Sequence, residues 1–199
     1  MEWRSAPRQL TIPWRIGMRS ALHRLLRGSI PALADFGGVF ITLPASIVCI
    51  ASAHATPEGT RVLRALLRTY RIRRDDRAST VAYVIRTSRA VLRTDIQQEP
   101  GRAERGDAIA ELHRRLAPRS AVAVPIVVRG KVHGALSLCY AHSGRSYLPR
   151  DLRAVARLAT QVANVLTNAS RTDGTLRLRP AAGHPRQGTT VRRRVGSRN

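Results

Sequence analysis

Residues 118–140, PRSAVAVPIVVRGKVHGALSLCY, contain two apolar runs that meet at Arg129-Gly130. Both runs are rich in Val, Ile, Leu and Ala and contain no acidic residue, which is typical of strands buried on both faces. Gly130 can adopt the positive φ that a tight hairpin turn requires. Gly134 lies inside the second run, where a missing side chain indicates that another group packs closely. The stretch therefore predicts a buried β-hairpin.

The bulk composition indicates one domain with a hydrophobic core. The chain has 199 residues, 43% of them hydrophobic, and a formal net charge of +23. Such a charge indicates either an anionic partner, such as nucleic acid or an anionic membrane, or the arginine-rich codon usage of a GC-rich genome. The arginines are spread along the chain rather than gathered on one helix, and this favours the compositional explanation.

Residues 37–53 carry no charge and must be tested as a membrane span. The run is at the short end of what a bilayer requires, and Pro44 interrupts it between two β-branched clusters. A strand, a turn at residues 43–46 and a second strand fit this pattern better than one helix. Cys49 and Cys139 are isolated in apolar segments, so we expect no disulfide and a reducing, cytoplasmic compartment.

Helix signals separate the predicted strands. A basic amphipathic helix starts at Trp14 and ends near Gly28; we expect it to cover the sheet, although a membrane surface or a transit peptide would also suit it. Residues 71–77 are expected to form a charged loop and residues 90–96 a short strand. Further helix starts are predicted at Thr56-Pro57, at Ser79 or Thr80, at Asp107, and at Pro149 with a helix to about Asn168.

The composition divides the chain into three parts. Residues 1–19 are expected to be an irregular basic N-terminus, residues 20–169 a folded domain, and residues 170–199 a disordered Arg-rich tail. Residues 171–199 contain eight arginines and one aspartate without hydrophobic periodicity. Such a tail could also contact nucleic-acid phosphates.

Four segments carry a family likeness through their order and spacing. They are LADF at 33–36 leading into VFI at 39–41, RTSRAVL at 86–92 with TDI at 94–96, the hairpin, and YLPRDL at 147–152. Together they resemble the GAF domain, the small-molecule-sensing module of bacterial signalling proteins. Ser88 and Ala90 replace the Gly and Pro usual in the family, and the Thr and Glu of its last motif are missing.

The resemblance implies an α+β, GAF/PAS-like fold with an antiparallel sheet of five or six strands and helices on both faces. It also implies a ligand pocket between the sheet and the helices that follow the second strand, and a homodimer formed through the terminal helices. Tyr83, Ser137 and Cys139 are the candidate pocket residues, with ordinary core packing as the alternative for all three.

The residues that known ligands of such domains need are missing. Lys131, the single lysine, lies in the hairpin turn, so a cyclic-nucleotide signature is absent. Neither cysteine has an adjacent histidine for bilin attachment, and two cysteines are too few for methionine-sulfoxide reduction. The six histidines lack metal-ligand spacing, no catalytic motif is found, and the cofactor is unknown, with a single haem-type histidine left open.

Two functional hypotheses follow. The first is a non-enzymatic sensory or regulatory module, in which an unknown small molecule shifts the helix at residues 149–169 and the protein acts in trans on a signalling partner or is a truncated sensor. The second is a nucleic-acid-associated protein that uses its Arg-rich tails on a GAF-like scaffold.

Overall fold

The computed structural model describes residues 16–44, 46–96 and 107–172. The strands in these ranges are β1 (Phe36–Thr42), β2 (Ser46–His54), β3 (Ile72–Arg73), β4 (Val91–Arg93), β5 (Ser120–Val128) and β6 (Lys131–Tyr140). The helices are α1 (Ile16–Ser29), α2 (Pro57–Thr69), α3 (Thr80–Thr87), α4 (Asp107–Leu116) and α5 (Leu152–Thr172), the last preceded by a 3-10 turn at Pro149–Asp151.

All six strands form one antiparallel sheet in the order β3-β2-β1-β6-β5-β4. Helices α1 and α5 pack against one face of this sheet, while α2, α3 and α4 cover the other. The expected α+β fold with a five- or six-stranded antiparallel sheet and helices on both faces is confirmed. The main core lies between the sheet and the α1/α5 layer, and its fully buried members include Leu22, Leu26, Val39, Leu136 and Val155.

The predicted hairpin is confirmed as β5 and β6. Arg129 and Gly130 both have positive φ values, 50° and 74°, which are the conformations of a tight two-residue hairpin turn. Gly134 pairs with Ile41 of β1, and a Cβ added at Gly134 would lie 2.0 Å from the carbonyl oxygen of Phe40. The close approach that Gly134 indicated is therefore that of the neighbouring strand's backbone.

The charge-free run at residues 37–53 is a strand, a turn and a strand, as predicted. The N–H of Leu43 donates to the carbonyl oxygen of Ser46 at 2.8 Å and closes the turn between β1 and β2. None of the helices in the described ranges has the length and apolar character needed to cross a membrane. Both cysteines are free thiols, as expected.

The predicted helix caps are present. The Thr56 hydroxyl accepts the N–H of Gly59 at 3.1 Å, and the Ser79 hydroxyl accepts that of Ala82 at 3.3 Å. Leu148 has no side chain that can cap, and its own N–H instead donates to the Asp151 carboxylate at 2.8 Å.

Several predicted boundaries differ from the structure. Helix α1 begins at Ile16, so residues 16–19, which were assigned to an irregular terminus, are helical. The charged segment 71–77 contains β3, because the apolar side chain of Ile72 is buried between two exposed arginines. Strand β4 is shorter than the predicted 90–96, and α5 continues to Thr172. Residues 1–15 and 173–199, and with them most of both predicted tails, lie outside the described residues.

Candidate functional site

Two separate apolar clusters lie between the sheet and the helices α2, α3 and α4. The α3 cluster is formed around Phe40, and its buried members are Phe40, Ile47, Ile72, Val81, Ala82, Val84, Ala123 and Ala135. The α2–α4 cluster is formed around Phe36, and its buried members are Phe36, Val62, Leu63, Leu66, Leu116 and Ala141. Leu67 and Tyr70, at the end of α2, are half-buried and pack against both.

A row of small residues crosses the sheet between these clusters. Gly38 on β1 pairs with Ser52 on β2 and with Ser137 on β6, and Ser137 pairs with Ala123 on β5. Residues directly opposite one another in antiparallel strands point to the same face, and in this row it is the face of Phe36 and Phe40. The Phe40 ring and Cys49 Sγ cover Gly38, while the small side chains of Ser52 and Ser137 on either side of it leave room above the sheet.

The two serines of this row have no side-chain hydrogen bond in the part of the chain that the structure describes. Ser52 and Ser137 are half-buried, and neither hydroxyl makes a hydrogen bond to any described residue. Neither hydroxyl oxygen is fully buried, so solvent can reach both of them. The space above the row is here called the central space, and a molecule bound there would find two free hydroxyls to hydrogen-bond with.

The Phe40 ring and the Cys49 thiol lie beside the central space, and Tyr70 packs against both apolar clusters. A Cβ at Gly38 would lie 3.0 Å from the Phe40 ring and 3.1 Å from Cys49 Sγ, so the ring and the sulfur rest against the bare backbone of Gly38. On the helical side, the Tyr70 hydroxyl donates to the Asp76 carboxylate. Asp76 in turn accepts the N–H groups of Ala78 and Ser79 at 2.9 and 3.1 Å, which fixes the position of the tyrosine.

Two titratable groups on this face, Cys49 and His54, have pKa values shifted towards the uncharged form. Burial raises the pKa of the Cys49 thiol to about 12. The imidazole of His54, which stacks on Phe36 with centroids 5.6 Å apart, has a lowered pKa because burial disfavours its cation. Within the described ranges, no group of three or more His, Cys, Asp or Glu side chains could hold a metal ion.

The three predicted pocket residues lie on two elements. Ser137 borders the central space, and Cys139 lies on the same face two residues further along β6, against the α2–α4 cluster. Tyr83 lies on α3 and is 41% exposed, because the buried side of α3 is formed by its neighbours Val81, Ala82 and Val84.

Sequence reasoning missed Ser52 and Cys49. A β-bulge in the β1–β2 pair shifts the register between Val39 and Phe40, where the partners change from Ala51 to Cys49. Simple alternation along β2 would place Cys49 and Ser52 on opposite faces, whereas the bulge puts both on the face of the central space. The signal that was available was Gly38, whose missing side chain marks a site of close packing.

Comparisons with known proteins agree with this architecture. The family model described as "GAF domain" matches residues 18–167. The structure of a methyl-accepting chemotaxis protein is similar to this chain, with a TM-score of 0.59 and 14% sequence identity. The match covers 79% of this chain and 93% of that chain. No match was found among curated proteins.

Two solved GAF domains have the same fold. The GAF domain/HD domain protein from Geobacter sulfurreducens has a TM-score of 0.55 and 18% identity, with 78% of this chain and 93% of that chain covered. The GAF domain of a phosphoenolpyruvate-protein phosphotransferase from Coxiella burnetii has a TM-score of 0.57 and 17% identity, with 78% and 85% covered. Because the family model covers residues 18–167, from α1 into α5, this chain belongs to the GAF domain family.

Proposed function

We propose that the protein is a non-enzymatic sensor that binds a small molecule in the central space. The observation that supports the proposal is that the hydroxyls of Ser52 and Ser137, in the middle of a sheet face that helices cover, make no hydrogen bond to any described residue. A bound molecule would satisfy them and would contact the Phe40 ring and Leu67. A signalling role is supported by the chemotaxis and phosphotransferase proteins that share the fold.

Strand β6 supplies a route from the central space to the terminal helices. Ser137 lies between Leu136 and Leu138, which point to the other face and are fully buried in the main core beneath α1 and α5. The α5 residues that enter this core include Val155 and Val162, also fully buried. Because a packed core transmits small displacements, a ligand that moves β6 would move α5. We propose α5 as the output element, which acts in trans on a signalling partner in the cytoplasm.

The pocket can be tested with an uncharged fluorescent probe, 6-propionyl-2-(dimethylamino)naphthalene, whose emission shifts to the blue in an apolar site. We expect the full-length protein to bind it with such a shift. Ser137→Leu and Ser52→Leu each fill part of the central space and should abolish the shift. Tyr83→Leu, at a position outside the space, should leave it unchanged.

A separate measurement of folding distinguishes loss of the pocket from loss of the folded structure. Circular dichroism and thermal unfolding must show that at least one of the two serine variants is folded. Probe binding by a folded Ser137→Leu or Ser52→Leu protein with wild-type affinity would overturn the proposal. Hydrogen exchange in α5 should change when the probe binds to the wild-type protein, and an unchanged α5 would remove that helix as the output element.

A further inference from the structure

The α1/α5 layer is basic and free of acidic residues. Neither α1 (Ile16–Ser29) nor α5 (Leu152–Thr172) contains Asp or Glu. Five arginines on these two helices have exposed side chains in the structure: Arg19, Arg24, Arg27, Arg153 and Arg157. Because α1 and α5 contact each other on one face of the sheet, the five arginines share one layer of the molecule.

These arginines are not paired within the described ranges. None of the five forms an ion pair or a hydrogen bond with another described residue. The opposite layer differs, because Arg115 of α4 lies 3.4 Å from Glu58 of α2, and Arg114 pairs with Glu111 on α4 itself. The arginines of α1 and α5 therefore have no acidic side chain on their own two helices to offset them, whereas α2 and α4 carry Glu58 and Glu111 among theirs.

The exposed side of α5 adds uncharged hydrogen-bonding groups to the arginines. Its exposed residues recur three or four positions apart, so they form one stripe along the helix. The stripe consists of Arg153, Arg157, Thr160, Gln161, Asn164 and Asn168. The 21 residues of α5 correspond to a length of about 30 Å, close to the axial rise of about 34 Å for one turn of DNA.

We propose that the outer surface of the α1/α5 layer binds the phosphate backbone of double-stranded DNA. Arginine pairs with phosphate in a bidentate manner, and polar uncharged side chains also donate to phosphate oxygens. An anionic membrane is the competing polyanion, but a helix that lies on a membrane needs large exposed apolar side chains. In the described ranges these are Tyr83, Val127 and Leu148, and none of them lies on α1 or α5. The proposal does not depend on the central space.

Three variants of the full-length protein that lose equal charge provide the test. R19Q/R24Q/R27Q removes three positive charges from α1, R61Q/R64Q/R68Q removes three exposed ones from α2, and R192Q/R193Q/R194Q removes three from the C-terminal tail. Binding to a labelled duplex of about 20 base pairs is followed by fluorescence anisotropy between about 50 and 200 mM salt. Circular dichroism confirms that each variant is folded.

We expect the α1 variant to weaken binding by at least about tenfold. The slope of log K against log salt concentration should become shallower by about two to three. The α2 and tail variants should weaken binding by less than about threefold. The variant R153Q/R157Q, which removes two arginines from α5, should also weaken DNA binding.

Four outcomes would overturn the proposal. They are no binding to the wild-type protein at low salt, an equal loss in all three variants, a loss confined to the tail variant, and binding through α1 to phosphatidylserine vesicles that is tighter than binding to DNA.

Discussion

The imidazole Nδ1 of His54 accepts the backbone N–H of Thr56 at 3.0 Å. His54 is the last residue of β2, and Thr56 is the N-cap of α2, so this bond holds the start of the helix against the end of the strand. A Cβ at Gly59 would lie within 2.1 to 2.3 Å of the imidazole ring, so only glycine allows this packing in the first turn of α2. An acceptor Nδ1 places the proton of the neutral ring on Nε2.

Acidification should weaken the fold through His54. Burial and the charge of His142 lower its pKa below the ordinary 6.5, and Asp35 opposes this only in part. The neutral ring is therefore favoured in the folded state, and its stabilisation is complete above about pH 6.5 and decreases as the pH falls towards the folded pKa. Protonated His54 can no longer accept from Thr56. Urea unfolding at about pH 7.5 and pH 5.5 should show a larger loss of stability in the wild-type protein than in His54→Asn, whose amide oxygen remains an acceptor. An equal loss would assign the pH dependence to other groups.

Removal of the Asp35 carboxylate should destabilise the protein by about 2–3 kcal/mol. This side chain is 5% exposed and accepts the N–H groups of Ala141 and Ser143 at 2.7 and 3.0 Å, linking the start of β1 to the loop after β6. Burial alone would raise its pKa, but these hydrogen bonds outweigh burial and the pKa is lowered. The stabilisation is thus present above the ordinary value of 3.8 and is lost as the pH falls below it. Denaturant unfolding of Asp35→Ala, which removes the acceptor, measures the loss, and Asp75→Ala, in an exposed pair with Arg73, should change little.

Alanine at Gly134 should break the centre of the sheet. The added methyl group would overlap the backbone of Phe40, which cannot move without disturbing the β1–β6 pairing. We expect a loss of about 3 kcal/mol or more in unfolding free energy, or failure to fold. Gly28→Ala is the matched control, because Gly28 lies on α1 with no atom near its added Cβ, and alanine there should stabilise the helix by about 0.5–1 kcal/mol. A soluble Gly134→Ala protein with wild-type stability would contradict the geometry.

Cys49 should resist alkylation in the folded protein. Its pKa of about 12 means that the reactive thiolate is scarce at neutral pH, and burial restricts access to the sulfur. Mass spectrometry after treatment with iodoacetamide should find Cys49 unmodified in native protein and modified in urea. Rapid modification in the native state would show that the central space opens widely to solvent.

The sequence was sufficient for the elements whose signals are local. The hairpin follows from the apolar runs on either side of Gly130, and the starts of α2 and α3 follow from the hydroxyls of Thr56 and Ser79. The resemblance to GAF domains also rested on such turn and packing residues, and the family match confirms it.

The candidate site was harder to predict because it depends on which face a side chain occupies. The exposure of Tyr83 depends on how α3 is rotated about its axis. The position of Ser52 on the face of the central space depends on a β-bulge that no residue type predicts. Strand β3 was missed because Ile72 is one buried residue among charged neighbours, and its burial comes from a distant part of the chain.

The sheet order places the first and last strands, β1 and β6, side by side at the centre. During synthesis, the edge of β1 that pairs with β6 stays unpaired until β6 has left the ribosome. A nascent chain that lacks β6 therefore exposes an apolar strand edge, which is prone to intermolecular pairing. Folding should be a late, all-or-none event dominated by distant contacts, and chaperone dependence should end when Tyr140 emerges.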